Sequence, residues 1–286
     1  MTEAGQYTYR GLTFGRGTTL EVAAVDGLEG AVMRIADQEL PRGHGSVPGP
    51  HYVDARTPVV EFVSLGGTPD REPLHRVLAD AFAVQQVSSP LEWKADGYPA
   101  RMVYARPVQL VLPRDLTSNP KVALTCADPR IYGADLHTLN VPRYTVAGGG
   151  LDYPGDYPKN FAAGLVVDAV ATNAGAADAY PVLRFYGPTD GGTVTGVTMR
   201  NLTTGQVLTV TTPVTSGQIL TVDNLARVTG SGDLVVSLDG TSRYGSWVQP
   251  RTPFALIPGD NLLRFESAGS STAVQAVATW RDTWTG

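Results

Sequence analysis

Cysteine, histidine and lysine are scarce: the 286 residues hold one, four and three of them. A lone Cys126 excludes an internal disulfide framework and a cysteine-based zinc site, since each needs several thiols. Only 17% of residues are charged, low for a soluble helical protein. The net charge of −5 leaves no basic footprint for nucleic acid. No apolar run approaches the ~18 residues of a membrane-spanning helix, so no membrane partner is expected. The start, Met-Thr-Glu-Ala-Gly-Gln, has no basic region leading into an apolar stretch, which predicts synthesis and folding in a cytoplasm without a secretory signal. Arginine outnumbers lysine 19 to 3, a bias expected of a GC-rich genome rather than of function.

Glycine (32) and proline (21) are plentiful, with much valine and threonine, which favours strands and turns over helices. The length suits two domains or one large β domain. Residues 6 to 14 alternate as a first strand. Leu20 to Val25 and Ala31 to Ile35 read as a hairpin around Asp26-Gly27. Pro41 to Pro50 holds three glycines and three prolines in ten residues, too many for helix or central strand, so it is a loop that a neighbour could pin. Thr68-Pro69 opens the one convincing helix. There Leu74, Val77, Leu78, Ala81 and Phe82 form an apolar stripe. A hairpin around Ala95-Asp96-Gly97 and strands at Val108 to Leu112 and Lys121 to Ala127 follow, giving residues 1–145 a sheet or barrel with one helix on it.

From 146 to 164 the chain turns Gly- and Pro-rich and repeats Asp-Tyr-Pro, which predicts an extended linker. Residues 165–286 read as many short strands with no helix pattern, a β-sandwich. Leu262 to Glu266 and Ala273 to Trp280 alternate as a closing hairpin after the turn Pro258-Gly259-Asp260-Asn261.

No catalytic constellation stands out. His44 and His51, with Asp37 and Asp54 nearby, sit in a Gly/Pro-rich loop without helical ligand spacing, so they read as interface or solvent histidines and no metal is expected. Ser46 lacks the G-x-S-x-G elbow. His75 reads as solvent-facing and His137 as part of a polar loop. Acids of the second half fall mostly beside Gly, Asn or Pro, where turns need them. No carboxylate pair suggests a glycosidase. Tyr244, Trp247 and Trp284 could form an aromatic platform for sugar rings, whereas Trp280, in strand register, reads as core. No cofactor and no enzymatic activity are expected.

Seven short motifs run in an order that resembles the distal tail (Dit) proteins of long-tailed phages infecting high-GC Gram-positive hosts. They are Arg42-Gly-His44-Gly-Ser46 to Gly49, the helix after Thr68, Cys126-Ala-Asp128-Pro-Arg130-Ile-Tyr132, and the Gly-Gly-Leu…Tyr-Pro…Tyr-Pro stretch. Thr172-Asn173-Ala174-Gly175…Tyr180-Pro181-Val182, Pro258-Gly259-Asp260-Asn261 and Trp280-Arg281-Asp282 complete them. The aspartates of the 146–164 stretch depart from the family's more apolar version. The resemblance implies an N-terminal domain that closes a six-membered ring continuing the tail tube, and a C-terminal galectin-like (jelly-roll) sandwich. It implies a place at the virion tail tip. The partners would be copies of itself, the tail tube and tape-measure proteins, the tail-tip hub, and a receptor-binding protein or host glycan. Residues 1–145 then supply the ring, with the 42–56 loop as an arm across the neighbour and Arg42, His44, His51 and Arg56 as interface candidates. A carbohydrate-binding module is the alternative reading, and a hydrolase with an unrecognised site the third.

Overall fold

The computed structural model describes residues 3–28, 30, 32–40, 44–63, 72–114, 118–144, 168–229, 235–269 and 273–285. It is mainly β and divides into two units, Met1–Asp135 with Thr283–Gly286, and Leu136–Asp282. This division differs from the one read in the sequence at both ends. The strand at 137–142 belongs to the second unit, and the last four residues belong to the first. The expected linker, 146–164, lies outside the described residues, as do Thr68, Pro69 and Arg42.

The first unit contains β1 (Gln6–Tyr9), β2 (Leu12–Gly15), β3 (Val22–Asp26), β4 (Met33–Ile35), β5 (Gln38–Glu39), β6 (Ser46–Val47), β7 (His51–Val53) and β8 (Val59–Phe62). After α1 (Glu72–Ala81) come β9 (Ser89–Lys94), β10 (Arg101–Val111), β11 (Lys121–Thr125) and β12 (Ile131–Gly133). The main sheet runs β2-β1-β9-β10-β11-β8-β3, with β12 paired to β10 and to the terminal strand Thr283–Trp284. β10 spans the turn of this sheet. Its first half pairs with β9 and its second with β11, and the register shifts between Pro107 and Gln109, where proline cannot donate to a ladder. The sheet curls enough for Phe14 of β2 to meet Phe62 of β8 edge-on, ring centroids 5.3 Å apart. Phe82, just past α1, tilts against Phe62 and stacks on Tyr9. The helix stripe is as expected in Leu78 and Phe82, which are buried, while Val77 remains exposed. The 20–35 hairpin does not form: β3 pairs with β8, and β4 pairs with β7.

The second unit is a two-sheet sandwich. Its strands are β13 (His137–Pro142), β14 (Ala169–Asn173), β15 (Val182–Tyr186), β16 (Thr193–Asn201), β17 (Gln206–Val210), β18 (Val214–Thr215) and β19 (Ile219–Asp223). β20 (Val236–Leu238), β21 (Thr241–Ser242), β22 (Gly259–Gly269) and β23 (Gln275–Trp280) complete it. One sheet runs β13-β23-β15-β19-β20-β21 and the other β14-β22-β16-β17, with β18 on β16. Alternate residues of both sheets share one core, where Phe185 and Phe265 meet at 5.4 Å. The expected closing hairpin is instead an arch. β22 pairs with β14 and β16, β23 with β13 and β15, so the two lie in different sheets. Period-two alternation buries one face in either arrangement, and cannot tell them apart. The sequence also hid α2 (Asn224–Thr229), whose first turn is capped by Asp223 accepting from the Ala226 N–H at 2.7 Å.

The second unit's motifs are stitches between loops. Asn261, fully buried, donates to the carbonyls of Ile257 (2.8 Å) and Gly259 (3.0 Å) and accepts from Ile257 N–H (3.0 Å) and Asn201 Nδ2 (2.9 Å). Trp280 donates its indole N–H to the Thr172 carbonyl at 3.1 Å, and Asp282 accepts from Ala174 N–H at 2.8 Å. His137 opens β13 rather than a polar loop. It stacks on Trp280 and sits 3.0 Å from Asp282. Asn261→Ala leaves several of these partners buried without a bond. It is expected to lower unfolding stability by about 2–4 kcal/mol, read from the urea midpoint at unchanged slope.

Candidate functional site

Among the described residues, 32–40 and 44–54 form an arm whose strands pair only with one another, β4 with β7 and β5 with β6, and none covers either face of this ribbon. Val32, Met33, Ile35, Leu40, Val47 and Tyr52 are exposed, Met33 at 63%. Scattered exposed apolar residues need no explanation, but this ribbon exposes them on both faces, Met33 and Ile35 on one and Tyr52, opposite Arg34, on the other, a density of the kind that marks an interface. The glycines read as loop-formers have definite tasks. Gly45, at φ 95°, turns the tip, where Leu40 N–H bonds Gly45 O at 3.3 Å. At Gly49 an added Cβ would lie 2.0 Å from the Ala36 carbonyl, so the strands cross there without room for a side chain. Asp37 accepts from Gly49 N–H at 2.9 Å and lies 3.4 Å from His51 Nε2. His44 and His51 are both exposed on the arm, and among the described residues no group of three or more His, Cys, Asp or Glu could hold a metal.

Arg56, expected at an interface, is 3% exposed. Its Nε donates to Pro129 O (2.6 Å), its Nη1 to Leu28 O and Gly30 O (both 2.9 Å), and its Nη2 to Thr285 O (2.7 Å). The guanidinium fork therefore ties the arm's root to the 129 turn and the terminal segment. Burial lowers its pKa, and four carbonyls compensate what water would have supplied. Arg56 also exchanges backbone bonds with Cys126, at 3.1 and 2.8 Å. The neighbouring Asp128 is buried. It accepts from Arg130 at 3.1 Å and from the Tyr132 hydroxyl, whose pKa burial and this carboxylate raise. The Cys-Ala-Asp-Pro-Arg-Ile-Tyr motif is thus part of the same anchor.

The three aromatics of the supposed sugar platform do not come together. Trp247 is 1% exposed, because residues 246–248 pair with the 209–211 edge and carry the indole into the sandwich core. Tyr244, half-buried, packs edge-on against Trp247 and carries two guanidiniums, Arg251 at 4.9 Å and Arg227 at 5.9 Å. Trp284 belongs to the first unit, pairing through the terminal strand with Ile131 and packing on that unit's core. An indole enclosed by its own core has no face to offer a sugar, so Trp247 is a packing residue.

Two outcomes test the anchor. Burial pushes the Cys126 thiol up to about 12, so it is expected to stay silent to a thiol reagent at pH 8 until the protein is unfolded. Arg56→Lys replaces a fork that spans three segments with a point donor. It should cost about 2–4 kcal/mol, read as a fall in Tm with the arm's sequence intact.

No family profile matches the chain, and no curated protein does. Solved structures do. The Dit (gp 19.1) protein of SPP1, described as a paradigm of the hub adsorption apparatus in phages infecting Gram-positive bacteria, superposes with a TM-score of 0.64 at 14% identity. The match covers 97% of this chain and 98% of that one. Chains of the phage p2 baseplate in its activated conformation match as well. With strontium the TM-score is 0.54 at 11% identity, and with calcium 0.55 at 10%; each covers 96% of this chain and 97% of the other. Over nearly its whole length, then, the chain has the fold of a phage tail hub protein, the one its order of motifs anticipates.

Proposed function

We propose that this protein is a structural component of the distal tail tip of a long-tailed phage, assembling as a ring, expected to be six-membered, that joins the tail tube to the tip and receptor-binding apparatus. The single observation that carries the reading is the uncovered apolar arm held on a buried arginine anchor, in a chain whose full length has the fold of the SPP1 hub protein. A ring subunit must show complementary surfaces to its neighbours, and contact must close after a fixed rotation. The arm suits one side of such a contact. Each of its strands keeps one free edge, which a neighbour can pair, and the anchor limits the freedom its root would lose on docking.

Partners in this reading are further copies of the chain, the tail tube and tape-measure proteins, the tail-tip hub, and a receptor-binding protein; its place is the virion tail tip. The second unit serves as a sandwich scaffold. The reading includes no catalytic step.

The arm variant Ile35→Asp/Val47→Asp separates assembly from folding. Both positions are exposed, so unfolding stability should move by no more than about 0.5 kcal/mol. Purified parent protein should appear in negative stain as closed rings and sediment as a defined oligomer, while the variant should sediment as folded monomer. A parent that never closes into rings sinks the proposal, and variant rings of unchanged size remove the arm from it.

A further inference from the structure

The main sheet of the first unit curls without closing. Among the described residues its two end strands, β2 and β3, each pair on one side alone, with β1 and with β8. The curl that brings Phe14 of β2 to Phe62 of β8 also brings these ends near one another, and between them runs a groove of about 430 Å³. Gly5, Tyr7 and Gly15 wall it at the β2 end, and residues 21–25 at the β3 end. A bulge between Val22 and Ala24 bends β3 along this wall, and it leaves Val22 opposite Phe62 and Val25 opposite Val60, both facing the core. Those two valines are half-buried, whereas Glu21, Ala23 and Ala24 are exposed. The groove therefore combines an unpaired backbone edge, small side chains that let another backbone approach, and an apolar side turned to the core.

An open edge holds N–H and C=O groups at the spacing a further strand needs, and extended segments add to sheets in this way. We propose that β4, in the arm of a second copy of the chain, pairs with β3 in this groove. The inference rests on the ring reading and gives its arm a receptor. β4 keeps a free edge, since only β7 pairs with it. Its sequence, Met33-Arg34-Ile35, alternates, and both apolar residues are exposed. Laid against β3, one face of β4 covers Val22 and Val25 with Met33 and Ile35, and the other turns Arg34 to the solvent side, where Glu21 stands. These two carry opposite charges, and among the described residues neither has an ion-pair partner. The Arg34 guanidinium lies over the Tyr52 ring, 5.8 Å from its centroid. Donor strand and acceptor edge are different surfaces of one chain, the head-to-tail arrangement from which a ring of identical copies is built. The added strand also covers an edge that would otherwise template aggregation.

Charge reversal on the full chain tests the pairing, read by sedimentation velocity and negative stain. Glu21→Arg and Arg34→Glu should each raise the concentration for half-assembly at least about tenfold, because like charges then meet. Both side chains are exposed, so each variant should keep the parent's urea midpoint. The double variant Glu21→Arg/Arg34→Glu should assemble like the parent. An equimolar mixture of the two single variants should do so as well, since each arm then finds an opposite charge on the other chain. That recovery separates a contact between copies from an arm folded onto its own groove. A parent that assembles while both single variants assemble equally well overturns this inference and leaves the ring reading standing. Failure of the double variant or of the mixture to recover does the same. A parent that stays monomeric removes the ring reading, and this inference with it.

Discussion

One guanidinium gathers the first unit. Arg56 takes four backbone carbonyls from residues 28–30, 129 and 285, and its own backbone pairs with Cys126. None of those segments could present a carbonyl to a low-dielectric interior without a donor, and no shorter side chain could reach them all. The arm at 32–54 grows from this knot. Its own residues bury almost nothing, so its position derives from its root.

The second unit uses a neutral version of the same solution. Asn173, Asn201, Asn224 and Asn261 are fully buried; the first three donate to carbonyls of loops far off in sequence, and Asn261 donates to those of its own turn, Ile257 and Gly259. An asparagine carries donor and acceptor together, so it can stand in for a missing strand partner where loops enter the core. This gives a structural task to the motifs that suggested a family in the sequence, Thr172-Asn173-Ala174, Pro258-Gly259-Asp260-Asn261 and Trp280-Arg281-Asp282. They bond to one another: Thr172 Oγ1 donates to Asp260 at 2.6 Å, and Trp280 and Asp282 both reach the 172–174 turn. Arg264 adds a charged tie, gripping Asp168 through two 2.8 Å bonds that hold the Asp168 carboxyl below its usual range.

Strands and helix were legible where burial is local. The stripe through Leu78 and Phe82 faces the core, and the alternation of β9, β10, β15, β19 and β23 matches their buried faces. Partners were not legible. β3 and β4 look like a hairpin and are not, because an alternating strand accepts any partner that covers the same face. Trp247 read as part of an aromatic platform; pairing with the 209–211 edge, far away in sequence, buries it. Arg56 illustrates the same limit, since a loop arginine carries no mark of burial.

Sequence alone determined the material: a strand-dominated chain, one amphipathic helix, a single cysteine without an internal disulfide partner, and a Gly/Pro-rich stretch that had to leave the sheet. These follow from each residue's own conformational preference and hydrophobicity, which neighbours a few positions away suffice to reveal. Tertiary structure decided which edges meet, that the terminal strand returns to β12, and which arginine is anchored. Those depend on distances between residues up to 229 positions apart, and no local preference encodes them.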